Sequence, residues 1–403
     1  MEKMKLPFGT IQIPEKSKTL IMNALDATRV SCGPLVRQFE KQFAELLGVD
    51  HAVAVTTGTD ADTLALAALH DLGAEPGDEV IVPSLSFVAT GNAVVHARLT
   101  PKFVDIERDT LNIDPSKIEE AITEKTRAIM PVHLMGKPAE MDTIMGIAQK
   151  HDLVVVEDAA EAHGMLYKGR PAGTIGHMGA FSLYVAHIIT TIEGGVITCN
   201  DERLAEILIS LRNHGRACSC PQCILSATQT FCPKRFDKET GEDLRFTFPR
   251  LGYSCKMNEL EAAVGIGNME NYHDIVDKRY KNLKFVLDRF HKFSPYLSTI
   301  QEEEYEKIGP HAIPIIINEE ASFTRAEFTK YLEDNGIDTR TLFQSMPTQC
   351  PGFNYLGHTP GQFPVAEYMG QNGLHIGCHH DLNLEHMDYF LHHVDAFLTR
   401  HQN

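Results

Sequence analysis

An acidic stretch that follows an apolar run carries groups able to hold a charged ligand. Val155 and Val156 precede Glu157 and Asp158, and Glu161 comes three residues later. A carboxylate at the carboxyl end of a buried strand is energetically costly unless it is paired. A protonated heterocyclic nitrogen is a suitable partner for Asp158, and a helix cap or a buried salt bridge is the structural alternative.

A second candidate binding element reads Thr-Thr-Gly-Thr-Asp over residues 56–60, between a predicted strand and a predicted helix. The free backbone N–H groups at a helix N-terminus, together with neighbouring hydroxyl groups, suit a phosphate. The alternative is a helix that is simply capped by a threonine or aspartate side chain.

A histidine near a glycine pair is the third candidate. His187 ends a segment that begins at Phe181, and Glu193, Gly194 and Gly195 follow shortly after it. An imidazole transfers protons near neutral pH and therefore suits general acid–base catalysis. Taken alone, a single histidine is more often structural than catalytic.

Cysteines are concentrated in one short segment. Of nine cysteines, four have the spacing Cys218-x-Cys220-x2-Cys223-x8-Cys232. In a long chain with no secretory signal, such a cluster indicates metal binding or redox chemistry before a disulfide framework. Four thiolates can hold an iron–sulfur cluster or a zinc ion. The alternative is four reduced structural thiols.

Short apolar runs alternate with helical patterns through the first half of the chain. This alternation predicts an α/β fold with a mostly parallel sheet, helices on both faces, and ligands beyond the carboxyl ends of the strands. The predicted strands span residues 51–55, 79–83, 102–105, 128–132, 153–156, 181–184 and 195–198, and the predicted helices span 58–69, 86–97 and 141–150.

The pattern becomes irregular where the cysteines begin and is helical again from Met257. We predict a large domain over residues 1–256, with a Cys-rich insertion at 217–250. Residues 257–403 are predicted to form a helix and a smaller C-terminal α+β domain.

Composition limits the classes of partner. The 403 residues include 43% hydrophobic and 23% charged residues, which is typical of a globular protein, and the formal net charge is −17. An acidic surface disfavours nucleic acid and anionic membranes. The N-terminal ten residues have no apolar signal region, and no apolar run reaches membrane-spanning length. These features predict a soluble, cytoplasmic protein.

The order of the motifs resembles the DegT/DnrJ/EryC1/StrS family of sugar aminotransferases, which are fold-type I pyridoxal-phosphate (PLP) enzymes. The resemblance implies the same α/β fold, PLP-dependent transferase chemistry and a homodimer with active sites at the subunit interface. The matching segments are Gly33-Pro34, Phe39-Glu40, Gly58-Thr59, Pro83-Ser84 with Phe87, residues 131–136, residues 157–160, residues 193–195 and Gly252-Tyr253.

The family implies which residues hold the coenzyme. Its phosphate is expected at Gly58, Thr59 and Asp60, with help from the hydroxyl of Ser182. Phe87 is expected to stack on the pyridine ring.

Three further positions complete the implied coenzyme site. Asp158 is expected to pair with the ring nitrogen and keep it protonated, so that the ring accepts electrons. Glu161 stands where the family usually has a glutamine near the ring hydroxyl. Ser254 stands where the family often has an asparagine that reaches the phosphate in the partner subunit.

His187 occupies the position at which the aminotransferases have the lysine that forms a Schiff base with PLP. This substitution resembles the sugar 3-dehydratase branch, which holds pyridoxamine phosphate (PMP) without a covalent bond. The implied activity is removal of the C3 hydroxyl from a nucleotide-linked 4-keto-6-deoxyhexose. The coenzyme amine condenses with the C4 ketone, and His187 removes a proton from the coenzyme C4′ carbon.

The cysteine segment resembles one subgroup of these dehydratases, which has a [2Fe–2S] cluster fed by a separate reductase. Gly215-Arg216 precedes the cysteines and Lys234-Arg235-Phe236 follows them, as in that subgroup. Ala159 and Ala160 stand where the subgroup has a cysteine ligand. We therefore expect an iron–sulfur cluster held by the four clustered cysteines, with zinc as the alternative.

Two other functions stay open at the level of sequence. One is a cluster-free dehydratase that uses PMP and glutamate, and the dense cysteines favour the cluster-containing enzyme over it. The other is a non-catalytic relic of the aminotransferase fold that binds a nucleotide sugar. Retention of Asp158, Phe87 and Ser182 argues against a relic, which has no need for a carboxylate that pairs with the ring nitrogen.

Overall fold

A computed structural model describes residues 5–28, 30–218, 220 and 230–401 of the protein. The largest sheet has seven strands in the order β1-β9-β8-β5-β4-β2-β3. Its strands are β1 (His51–Val55), β2 (Glu79–Pro83), β3 (Thr100–Val104), β4 (Thr126–Ile129), β5 (Val154–Asp158), β8 (Met178–Ser182) and β9 (Gly195–Cys199).

Helices cover both faces of this sheet. Two apolar clusters lie on its opposite sides, with Val80 and Val82 in one and Ile81 in the other. The helices of this part are α1 (Glu15–Asp26), α2 (Pro34–Leu47), α3 (Gly58–Ala67), α4 (Val88–His96), α5 (Ile118–Ala121), α6 (Met141–His151) and α7 (Glu202–Leu211).

Strand direction places the candidate residues at one edge. All neighbouring pairs among β3, β2, β4, β5 and β8 are parallel, and β9 runs antiparallel to both β8 and β1. The carboxyl ends of β1, β5 and β8 therefore lie at the same edge. The predicted mostly parallel α/β fold is confirmed. Thr56, Asp158 and Ser182 lie where β1, β5 and β8 end, at the edge at which ligands bind in such sheets; we call it the ligand edge.

Two consecutive helices follow the Cys-rich insertion. A capping box at Asn258 and Glu261 begins α8 (Glu259–Glu270), and α9 (Tyr272–Phe290) starts after a break at Asn271. The predicted helix from Met257 is therefore two helices, because Asn271 is not helical.

The C-terminal part is built on a four-stranded antiparallel sheet in the order β10-β12-β14-β13. Its strands are β10 (Leu297–Ser298), β12 (Ala312–Ile317), β13 (Thr339–Thr341) and β14 (Gly373–Gly377), and a second small sheet joins β11 (Glu306–Lys307) to β6 (Leu166–Tyr167) and β7 (Arg170–Pro171). Its helices are α10 (Arg325–Asp334), α11 (Met346–Gln349), α12 (Pro364–Asn372) and α13 (Leu384–His401).

The N-terminal segment packs against this C-terminal part, a contact that the sequence does not reveal. Leu6 is fully buried and bridges Ile337, and its amide donates to the carbonyl of Gly336 over 3.0 Å. The domain limits at 256 and 257 stay a prediction. Across the described residues, no helix combines the length and apolar character needed to cross a membrane.

Candidate active site

The N-terminus of α3 lies directly against the end of β8. Thr57 caps the helix, and its Oγ1 accepts a hydrogen bond from the amide of Asp60 over 3.0 Å. A Cβ atom at Gly58 would lie 2.6 Å from Cβ of Ser182, so only glycine allows this approach. The structure thus places Gly58 against Ser182, and Thr59 is the next residue of α3. Their predicted role in holding a phosphate stays a prediction.

Asp60 organises the hydroxyl groups at this helix end. Its Oδ2 accepts hydrogen bonds from Oγ1 of Thr56 over 2.5 Å and from Oγ1 of Thr57 over 2.9 Å. The capped helix and the phosphate-binding interpretation are therefore compatible, because the cap occupies the amide of Asp60 and leaves the N–H groups of Gly58 and Thr59 for an anion.

Asp158 is a buried carboxylate with two hydrogen-bond donors. Its Oδ2 accepts from Oγ1 of Thr90 over 2.7 Å, and its Oδ1 accepts from the amide of Ala160 over 3.2 Å. Burial raises the pKa of Asp158, and the hydrogen bond from Thr90 opposes that rise. A cation beside Asp158 would offset the cost of burying its charge.

Phe87 presents an aromatic face beside these groups. It precedes the first residue of α4, and its ring lies 5.5 Å from the ring of Phe343. Phe87 is 55% exposed, whereas the preceding residue, Ser86, is buried. The exposed ring is therefore available for a planar ligand.

Glu161 is a second buried carboxyl group near Asp158. Its Oε2 accepts a hydrogen bond from the amide of Met135 over 2.8 Å, and its Oε1 lies 3.4 Å from Nε2 of His311. Burial raises the pKa of Glu161 to about 8, and the nearby Asp158 contributes to that rise. The carboxyl group is thus protonated at neutral pH and can donate a hydrogen bond.

His187 lies in the loop between β8 and β9. Its ring centroid is 5.1 Å from that of His311, and its amide donates to the carbonyl of Tyr184 over 2.9 Å. Nδ1 of His187 is buried and has no hydrogen-bond partner within the described part of the chain. Burial, together with His163 and Arg279, lowers the pKa of His187 to about 3, so the ring is neutral.

Ser254 lies apart from the buried residues of the site. It is exposed and forms a backbone bridge with Asn213. The next residue, Cys255, accepts a hydrogen bond from the amide of Thr56 over 3.1 Å, which connects this segment to the phosphate-binding element. The expected contact of Ser254 with a partner subunit stays a prediction.

Three of the four clustered cysteines line one cavity. Burial and the adjacent Cys218 thiol raise the pKa of Cys220, and Cys232 contributes to the same rise. The cavity adjoins the ligand edge, because Lys256 also lines it and forms a backbone bridge with Val55. The other charged residues of the cavity lining are Arg37, Arg212, Arg216, Lys234, Arg235 and Arg245.

The cysteines do not form a ready-made metal site in the described ranges, where no group of three or more His, Cys, Asp or Glu residues is arranged to hold a metal ion. Cys223, the fourth predicted ligand, lies outside the described residues. The predicted iron–sulfur or zinc site therefore stays a prediction.

Two residues of the site were not identified from the sequence. Thr90 holds Asp158, and its only sequence signal is its position three residues after Phe87. His311 lies beside Glu161 and His187 but is more than 120 residues away from both in sequence. No spacing pattern connects residues that only the folded C-terminal part brings together.

The chain is similar to known proteins along most of its length. Residues 12–395 match the DegT/DnrJ/EryC1/StrS aminotransferase family. GDP-perosamine synthase of Caulobacter vibrioides is 34% identical over 94% of this chain and 94% of its own length. GDP-4-keto-6-deoxy-D-mannose 3-dehydratase of Yersinia pseudotuberculosis is also 34% identical, over 93% of this chain and 94% of its own.

A solved structure is similar across the whole fold. The E. coli GDP-4-keto-6-deoxy-D-mannose-3-dehydratase with bound hydrated PLP superposes with a TM-score of 0.85 at 30% identity. The similarity covers 98% of this chain and 100% of that one.

Proposed function

This chain belongs to the DegT/DnrJ/EryC1/StrS aminotransferase family, and the resemblance of its motifs implies that His187 stands at the position of the family lysine. We therefore propose that it is a PMP-dependent 3-dehydratase of a nucleotide-linked 4-keto-6-deoxyhexose. The predicted family and its 3-dehydratase branch are confirmed by the family match and by relatives that bear that name. The prediction that the chain is an enzyme of the PLP-dependent superfamily is confirmed as well.

His187 is the residue that favours 3-dehydration over amino transfer in this proposal. Sequence identity does not decide it, since relatives with two different names are equally similar to this chain. An imidazole forms no stable Schiff base with PLP, so a lysine-dependent amino transfer is disfavoured. A neutral, buried imidazole at the same place retains a lone pair for a proton.

The residues of the candidate active site fit the coenzyme. Gly58 lets the N-terminus of α3 lie against Ser182, and the N–H groups of this helix end and the Ser182 hydroxyl are donors that suit a phosphate. Asp158 is a buried carboxylate that needs a cation, and a protonated ring nitrogen is one. Phe87 supplies an exposed aromatic face.

Each residue then has a separate task. PMP, when bound, supplies the amine that condenses with the C4 ketone and a ring that accepts electrons. Asp158 holds the ring nitrogen in its protonated form, and Thr90 orients the carboxylate. His187 accepts the proton from C4′. Its buried Nδ1, which has no hydrogen-bond partner among the described residues, can hold this proton.

The substrate class follows from the relatives. Two 3-dehydratases similar to this chain are named for a GDP-linked 4-keto-6-deoxymannose, at 34% and 33% identity. A third, at 32% identity, is named for a dTDP-linked 4-dehydro-2,6-dideoxyglucose. A GDP-linked 4-keto-6-deoxy sugar is therefore the proposed substrate and the first to test. A homodimer is part of the proposal, with Ser254 near the phosphate of the partner subunit's coenzyme.

The source of reducing power separates two versions of the proposal. In one, an iron–sulfur cluster held by the four clustered cysteines receives electrons from a reductase. The placement of Cys218, Cys220 and Cys232 around a cavity beside the ligand edge supports this version. In the other, glutamate regenerates PMP and no cluster takes part. A similar GDP-4-keto-6-deoxymannose-3-dehydratase has been solved with a trapped PLP-glutamate geminal diamine, which supports the second version.

One experiment tests the proposed reaction and separates the versions. The enzyme is loaded with PMP, freed of excess PMP and incubated with a molar excess of GDP-4-keto-6-deoxymannose, with and without glutamate, and the sugar product is identified and quantified. A 3-deoxy product that exceeds one equivalent per active site only with glutamate supports the cluster-free enzyme. A 3-deoxy product that appears only with a reducing system, together with a visible band that dithionite bleaches, supports the cluster. Cys220→Ser should abolish that band, and Cys350→Ser is the matched control.

A further inference from the structure

We propose that Glu161 and His311 form a positioning pair that acts on the reaction through His187. In this pair the carboxyl group of Glu161 donates to Nε2 of His311, which fixes the tautomer and ring orientation of His311 beside His187. The inference rests on the proposed function, in which His187 moves the proton.

The two side chains are held close together by their own elements. The amide of Met135 donates to Oε2 of Glu161 over 2.8 Å, and Oε1 lies 3.4 Å from Nε2 of His311. This separation is longer than the usual donor–acceptor distance of about 2.7–3.2 Å, so the proposed hydrogen bond requires a small rotation of one side chain.

The backbone around His311 is also fixed. The guanidinium of Arg279 donates to the carbonyl of His311 over 2.8 Å and to the carbonyl of Pro310 over 2.9 Å. The amide of Gly309 donates to the carbonyl of Gly136 over 2.9 Å. The segment that carries His311 is thereby joined to the turn whose amide holds Glu161.

The orientation of the His311 ring determines which proton it presents. If Nε2 accepts from Glu161, the proton of neutral His311 resides on Nδ1. Nδ1 of His311 is buried without a partner among the described residues, and so is Nδ1 of His187 in the ring 5.1 Å away. The pair therefore places a fixed N–H dipole of His311 next to His187, the proposed base.

The electrostatic surroundings keep the His311 ring neutral. His163, His187, Arg279 and His375 all face His311, and burial lowers its pKa well below the usual range. The nearby charge on the Glu161 side is Asp158. The pKa of Glu161 is about 8, so the proton resides on the carboxyl group at neutral pH. Above pH 8 the carboxyl ionises and the pair changes its charge.

Nitrogen-15 NMR of the histidine rings in the coenzyme-free protein tests the pair directly. We expect His311, assigned with His311→Gln, to be the Nδ1–H tautomer at pH 6.5 and to change its ring shifts with a midpoint near pH 8. Glu161→Gln should keep the tautomer, because its amide also donates, but lose the transition. A His311 that stays in the Nε2–H form, or that titrates identically in Glu161→Gln, overturns the proposal.

The pH profile of the holoenzyme tests whether the pair acts through His187. We expect kcat of the wild type to change near pH 8 and that limb to be lost in Glu161→Gln, with little change in KM. Loss of the NMR transition without loss of the kcat limb overturns the positioning role. Because the NMR measurement needs no turnover, it stands or falls separately from the proposed dehydratase activity.

Discussion

The hydroxyl of Thr90 donates to Oδ2 of Asp158 over 2.7 Å, and this bond joins the first turn of α4 to the end of β5. Ser86 lies 2.8 Å from the same hydroxyl, so a short relay of side chains supports the buried carboxylate. Asp158 is expected to meet the coenzyme ring, and its position is therefore set by a residue on a different element.

Thr90→Val should weaken coenzyme binding. The substitution keeps the shape of the side chain but removes a hydrogen bond to a buried carboxylate, which is worth roughly 1.4 kcal/mol, or about tenfold in Kd. Titration of the purified protein with PMP measures the change. Thr100→Val, at an exposed hydroxyl on β3, is the matched control, and an unchanged Kd in Thr90→Val would show that the bond does not orient Asp158.

Asp158→Asn should impair the reaction more than it impairs folding. The amide cannot keep the ring nitrogen protonated, so kcat should fall by about 100-fold or more. Because Asn fits the same volume, the thermal midpoint of the coenzyme-free protein should not decrease. Activity within about twofold of the wild type would remove Asp158 from its proposed role.

Gly58→Ala should disrupt the phosphate-binding element. The new methyl group would meet Ser182 at 2.6 Å, and one of the two segments would have to move. We expect loss of PMP binding or a marked loss of stability. Gly146→Ala is the control, since a Cβ atom there has no neighbour within 4 Å and alanine favours the helix. Normal binding by Gly58→Ala would argue against a phosphate at this helix end.

Glu161→Gln should stabilise the coenzyme-free protein at alkaline pH. The pKa of Glu161 is about 8 in the fold, against a usual value of 4.5, so the folded state binds more protons between these values. Stability therefore falls as pH rises through this window, and glutamine removes that loss. The difference in Tm between variant and wild type should grow from pH 5 to pH 8. The same trend in the exposed control Glu124→Gln would contradict the assignment.

The parts of the site formed by local sequence were predictable. The Thr-Thr-Gly-Thr-Asp run forms a capped helix end where it was expected, and the strand at residues 51–55 has the predicted limits. Both depend on neighbouring residues and on hydrophobic patterning, which a single sequence records. The helix predicted over residues 58–69 ends at Ala67 and continues as a tighter 3-10 turn, since no glycine or proline marks its end.

The parts formed between distant elements were not predictable from pattern. Thr90 and His311 reach Asp158 and Glu161 only after the sheet and the C-terminal part are assembled. Glu161 itself was placed by resemblance. Its raised pKa depends on burial, which no spacing of residues specifies.

The identity of the sugar product is the most direct test of the central claim. Wild-type holoenzyme with PMP and GDP-4-keto-6-deoxymannose should yield a sugar that lacks the C3 oxygen and keeps the C4 carbonyl. His187→Lys should instead capture PLP in a form that borohydride traps, and should shift the product toward a 4-amino sugar that retains its C3 hydroxyl. A 4-amino product from the wild type, or no turnover under either regeneration system, would contradict the account.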